Sequence, residues 1–160
     1  MYDTILVPLD GSKRAEAILP HVQAFGRSSQ SKVILLTALE HKMFVSAEGI
    51  QSQLDAGELE RRMQAAEDYL TNLAEEFRRM DIETEHQVVY GPAVDVIVKV
   101  ADEEDVSLIA IASHGRTGLS RVFYGSIAAG LLHAVDRPLL LVRSRGFKSD
   151  STLQWGKDVI

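Results

Sequence analysis

Residues 113–126 read SHGRTGLSRVFYGS and follow directly on the apolar run LIAIA. Gly115, Gly118 and Gly125 stand there among His114, Arg116, Arg121 and Ser126. Glycine takes positive φ readily and lets backbone N–H groups come close to a ligand. Gly125-Ser126 then opens a segment of helical apolar periodicity. A helix N-terminus presents unpaired N–H donors and a partial positive charge. With the Ser126 hydroxyl and the positive charge of His114, Arg116 and Arg121, this is the chemistry of an anion cradle, spaced for a polyphosphate. Each part alone has a plainer reading, as a turn, a helix cap or a solvated arginine. Their coincidence at one strand end favours a small-anion site.

A second loop, PLDGS at Pro8 to Ser12, follows the first apolar run. Asp10 would repel phosphates. Its carboxylate suits the uncharged part of a ligand, accepting from ribose hydroxyls or an exocyclic amine. In an Asp-Gly-Ser sequence it also closes the turn into the next helix, and the two roles are compatible. Pro8 is tolerated where a strand ends. The sequence contains no G-x-x-x-x-G-K-[ST], no G-x-G-x-x-G after the first strand and no G-x-S-x-G. That argues against a P-loop enzyme, a dinucleotide fold and a serine hydrolase elbow. His21, His41, His86, His114 and His133 show no metal-ligand spacing. No catalytic residue and no protein-built metal site is expected. His114 is the one histidine in the suspected site, a candidate phosphate contact and a weaker candidate for acid–base chemistry.

These loops need strands to hold them. Four apolar runs are continuous rather than alternating: Ile5–Val7, Val33–Leu36, Leu108–Ala112 and Leu139–Val142. Such runs suit parallel strands covered on both faces. A fifth, Ile82–Val89, carries Glu83, Glu85 and Gln87 and reads as an edge strand with one wet face. Between them lie helical patterns: Ala15, Ile18, Leu19 and Val22 after a Ser12 cap; Leu59, Met63, Ala66, Leu70, Leu73 and Phe77; Val94, Ile97, Val98 and Ala101; and Ile127, Ala128, Leu131, Leu132 and Val135. Pro20 should kink or loosen the first of these. The order β-α-β-α-β-α-β-α-β predicts right-handed crossovers and a parallel α/β sheet. Ligands in such sheets bind beyond the carboxyl ends of the strands, where chain order reverses. The stretch His41–Ala56 is long for a connection and is expected to be a flap over the site.

Composition sets the outer bounds. The chain has 160 residues, 46% apolar and 25% charged, which suits one soluble domain with a full core. Its net charge of -6 makes nucleic acid and anionic lipid poor partners. There is no cysteine, so disulfides, thiolate metal sites and thiol catalysis are excluded. No signal peptide or membrane-length apolar run is visible, and a cytoplasmic location is expected.

PLDGS, the β/α order and SHGRTGLSRVFYGS together resemble the universal stress protein family over residues 1–143, leaving 144–160 as a polar tail with Trp155. The pattern of the family's ATP-binding branch is Gly, two residues, Gly, nine residues, Gly, then Ser or Thr. Gly115, the nine residues Arg116–Tyr124, Gly125 and Ser126 match it, while Ala112 replaces the first glycine. If that position needs positive φ or a very close approach to the ribose, nucleotide affinity would suffer. The resemblance implies an open, Rossmann-like five-stranded parallel sheet in the order 3-2-1-4-5, with helices on both faces. It places Pro8, Asp10 and Ala38 at the adenosine end and Ala112 and Gly115 near the ribose and phosphates. Gly125, Ser126 and Ile127 would hold the phosphates. His114, Arg116 and Gly118 complete the expected site. ATP or another adenine nucleotide is the implied ligand, with Mg²⁺ or Mn²⁺ held through its phosphates and water.

In that strand order Leu139–Val142 is an apolar edge, which invites aggregation unless covered. A second copy pairing there gives a homodimer, as is common in the family. The tail folded back over the edge is the alternative. Three functions follow: a nucleotide-dependent stress-response switch or sensor, a slow ATPase or phosphotransferase, or a dimeric interaction protein that binds no nucleotide. The retained glycines and Ser126 favour the first.

Overall fold

A computed structural model of the chain describes residues 2–40, 44–46, 49–51, 56–114 and 125–144. The elements run β1 (Thr4–Pro8), a 3-10 turn (Ala15–Ile18), α1 (Leu19–Ser29), β2 (Lys32–Leu39), β3 (Phe44–Ser46), β4 (Gly49–Gln51), α2 (Ala56–Arg78), β5 (Thr84–Tyr90), α3 (Ala93–Glu103), β6 (Leu108–His114), α4 (Ser126–Ala134) and β7 (Leu139–Ser144). Five strands form one parallel sheet in the order β5-β2-β1-β6-β7. Counting the long strands along the chain, this is the expected order 3-2-1-4-5. Among the described residues β3 and β4 pair only with each other, antiparallel; the rest of the stretch expected to form a flap, 41–43, 47–48 and 52–55, lies outside the described residues.

Alternation along the strands divides the core in two. Ile5, Val7, Val33, Leu35, Leu108 and Ala110 face one way, against Ile18 and Val22 of the first helical stretch and Leu70, Ala74 and Phe77 of α2. Leu6, Ile34, Leu36, Ile109 and Ile111 face the other way, against Val96, Ile97 and Val100 of α3 and Leu131 of α4. Each central strand is therefore buried on both sides, which is why its apolar run is unbroken. Two close approaches set the helix positions. A side chain at Gly26 would meet Ile82, and one at Gly130 would meet Val94 of α3.

Three details differ from the periodicity. Pro20 falls in the first turn of α1, where no intrahelical N–H is required, and the 3-10 turn ends just before it. Leu132 and Met63 lie on apolar stripes yet remain 52% and 39% exposed, while Leu131, one position from Leu132, is fully buried against the sheet. The edge strand begins at Thr84 rather than Ile82; the latter is buried in the turn between α2 and β5.

Candidate functional site

A cleft of about 590 Å³ opens at the carboxyl ends of β1, β2 and β6. That is within the range of small-molecule sites, roughly 300–1,000 Å³. It stands where the sheet order reverses, with β2 on one side of β1 and β6 on the other.

The β1 end supplies Pro8, Leu9 and Asp10. This turn is pinned to β2 twice. The Leu9 N–H donates to the Leu36 carbonyl at 2.8 Å, and the buried Thr37 hydroxyl donates to the Leu9 carbonyl at 3.0 Å. Gly11 then takes φ +77°, the left-handed region that favours glycine. Asp10 Oδ1 accepts from the Ser12 N–H at 2.9 Å, and Ser12 Oγ accepts from the Ala15 N–H at 3.2 Å. Asp10 thus closes the turn with one oxygen and lines the cleft as well, so the two sequence roles are compatible in space.

The β6 side supplies Ile111, Ala112 and Ser113. Ala112 sits inside the regular strand, opposite Val142, and is not among the positive-φ residues. Its methyl packs against the core on the α1–α2 face. An alanine here carries no backbone strain, so this strand position does not require the positive φ of a glycine. Gly125, Ser126 and Ile127, at the N-terminus of α4, line the cleft. The N-cap residue of this helix, Gly125, has no side chain to cap it. The first-turn N–H groups of a helix have no intrahelical partner and carry the positive end of its dipole. Gly125 has φ -54°, and among the described residues a Cβ added there would meet no atom within 4 Å.

The β2 side supplies Ala38 and two residues the sequence did not single out, Glu40 and Arg62. Glu40 Oε1 accepts from the Ala93 N–H at 2.6 Å, capping α3 from outside because Pro92 has no polar side chain to do so. Arg62, on α2, donates from Nη1 and Nη2 to the Glu40 carbonyl, each at 3.4 Å. The charge that i,i+3 pairing would suggest lies next door: Arg61 pairs with Glu58 on the exposed face.

The structure brings Pro8, Asp10, Ala38, Ala112, Gly125, Ser126 and Ile127 into this one cleft. His114 ends β6 at its rim, with its side chain outside the described residues. Gly115, Arg116, Gly118 and Arg121 also lie outside them, as do Trp155 and the tail after Ser144. The Asp10 and Glu16 carboxylates both act on Tyr69 of α2. The Tyr69 hydroxyl, which donates to Glu16 Oε1, is held well above its ordinary value by burial, then by the carboxylates of Glu16 and Asp10. Among the described residues no group of three or more His, Asp or Glu side chains is placed to hold a metal, and no helix is long and apolar enough to cross a membrane.

A family model for universal stress proteins matches residues 1–143. The chain belongs to the universal stress protein family. Universal stress protein MJ0577 of Methanocaldococcus jannaschii is 27% identical over 91% of this chain and 97% of its own length. The solved structure of MJ0577 superposes with a TM-score of 0.75 over 92% of this chain and 99% of that one, at 29% identity. A universal stress protein in complex with cAMP aligns at 22% identity and TM-score 0.59, covering 90% of this chain and 98% of its own. Another, from Archaeoglobus fulgidus in complex with dAMP, aligns at 20% and 0.61, covering 88% and 98%. Against the family's ATP-binding pattern, the universal stress protein described here keeps Gly125-Ser126 at the start of α4 and carries Ala112 in β6.

Proposed function

We propose that this universal stress protein binds an adenine nucleotide, ATP in the first instance, as an effector whose occupancy is read by a partner. The observation that carries the reading is the placement of the α4 N-terminus, which begins at Gly125, at one end of a cleft whose other walls are mostly apolar. Gly125, Ser126 and Ile127 would hold the phosphates through backbone N–H groups. Asp10 would accept from the ribose, and Ala38 would flank the base. His114, Gly115, Arg116 and Gly118 are proposed to complete the phosphate side. Relatives solved with cAMP and dAMP support an adenine ligand. With Asp10 and Glu40 the only carboxylates among the described lining residues, Mg²⁺ or Mn²⁺ would be held by phosphates and water. A dedicated phosphoryl-transfer centre has less support, since no described acid–base pair faces the α4 N-terminus.

We further propose a homodimer through β7. Among the described residues this strand pairs only with β6, and Leu139, Leu140, Leu141 and Val142 are each half-buried. Residues 144–160 would be an appendage to the domain, which we place in the cytoplasm.

The test is titration of nucleotide-stripped protein with ATP, with and without Mg²⁺, by calorimetry and thermal unfolding. Binding at a hundredfold excess over Kd should stabilise the fold by about 2.7 kcal/mol. A flat titration would remove the reading in favour of a nucleotide-free interaction protein, and phosphate release on the same sample would favour a slow ATPase. Light scattering of the purified chain checks the dimer, and a monomer at tens of micromolar would refute it.

A further inference from the structure

Arg62 is the only cation among the described residues lining the cleft. It is half-buried, and none of the described ion pairs includes it. What holds it is the Glu40 carbonyl, approached by both terminal nitrogens at 3.4 Å. Those bonds are long against the usual 2.9–3.0 Å, so exchanging them costs little. Sharing one acceptor between two donors also leaves the flat face of the guanidinium uncommitted.

Position decides what that face would meet. Glu40 extends β2, and α4 begins beyond β6, with β1 between the two strands. Two strand spacings, about 10 Å, separate the two sides of the cleft. Phosphates belong at the α4 side, where the dipole and free N–H groups are. The opposite end of the same ligand therefore lies under Arg62. The walls there are Ala38, Ala93 and Ile97, which are apolar and offer a purine no charge. A planar cation beside an apolar slot is matched to the face of an aromatic ring, through cation–π attraction and stacking.

We propose that Arg62 contacts the nucleobase: its guanidinium leaves the Glu40 carbonyl and stacks on the purine ring, with Glu40 as its resting place and positioning residue. The inference rests on the adenine-nucleotide reading above and adds the recognition of the base. It also gives α2 a direct sense of occupancy, because the moving side chain belongs to that helix.

The test compares ATP binding to the wild-type chain, Arg62→Ala and Arg62→Lys at low and high salt, about 0.05 and 0.5 M. Arg62→Ala should weaken ATP about fivefold to thirtyfold. The ratio to wild type should hold at both salt concentrations, since a stacked and covered contact is screened little. Arg62→Lys should recover little of the loss, because lysine lacks the planar face. Unchanged affinity in Arg62→Ala would overturn the inference. So would a ratio that collapses in high salt or full rescue by lysine, each of which marks a phosphate contact. Apo unfolding midpoints check the fold, and Arg62→Gln carries the same comparison should alanine loosen α2. If wild type itself binds no ATP, the nucleotide reading falls first and this inference with it.

Discussion

The two ends of the sheet treat their polar groups differently. At the amino end they satisfy one another. Arg137 donates to the carbonyls of Ala101 and Val106 and to Asp102, closing the end of α3 against the starts of β6 and β7. Ser107 Oγ donates to the Thr4 carbonyl and accepts from the Thr4 N–H, and Ser31 Oγ donates to the Tyr2 carbonyl. Lys32 pairs with Glu85 and Glu104. At the carboxyl end, α4 begins at a glycine with no capping side chain of its own, Asp10 faces a cleft and Arg62 rests on long bonds. Closed hydrogen bonding at one end serves stability; the other is where the proposed ligand would find its partners.

The comparison can be broken first at Gly125. Gly125→Val should reduce ATP affinity by about a hundredfold or more, the loss of roughly 3 kcal/mol of phosphate contacts. Its apo stability should change by less than about 0.5 kcal/mol, because a Cβ at this position meets no atom of the described residues. Normal affinity by calorimetry would mean the α4 end holds no ligand.

Arg137→Ala is the mirror experiment at the amino end. Denaturant unfolding should show a loss of about 1–3 kcal/mol, from carbonyls left without their charged donor. ATP affinity should be unchanged, and a large loss of binding would erase the division between the ends.

Thr37→Val sharpens the boundary. Removing its hydroxyl leaves the Leu9 carbonyl without that buried donor, at about 1–2 kcal/mol. Because Leu9 leads into Asp10, the same variant should also weaken ATP a few fold. A stability loss with untouched binding would show that the β1 turn does not need β2 to hold its shape.

Lys32→Met should have the smallest effect, about 0–1 kcal/mol for a partly exposed surface cluster. The hydrogen bond to Glu85, and then the Glu85 and Glu104 charges, raise the Lys32 amine above its ordinary 10.5, against an opposing desolvation. A raised pKa gives stability that is complete below 10.5 and lost as pH climbs through the folded value. The gap between wild type and variant should therefore be constant near neutrality and shrink above pH 10.5, as read by unfolding at each pH.

Much of this was legible in the chain itself. Unbroken runs such as Val33–Leu36 announced strands buried on two faces, and Glu83, Glu85 and Gln87 announced an edge. PLDGS and Gly125-Ser126 marked two walls of the cleft, because turn chemistry and helix starts are local. Leu132 and Met63 misled, since a periodic stripe says which face of a helix is apolar but not where its neighbours end.

The sequence by itself determined the order of strands and helices, the acidic surface and the residue types at the two cleft loops, since each follows from neighbours a few positions apart. Only the tertiary structure decided that Glu40 would cap α3 across 53 positions and that Arg62 would reach Glu40 across 22. Arg61 and Arg62 are adjacent in the chain, yet one turns to Glu58 and the other to the cleft. Successive side chains on a helix point about 100° apart, and which of them meets a partner depends on where the rest of the chain has packed.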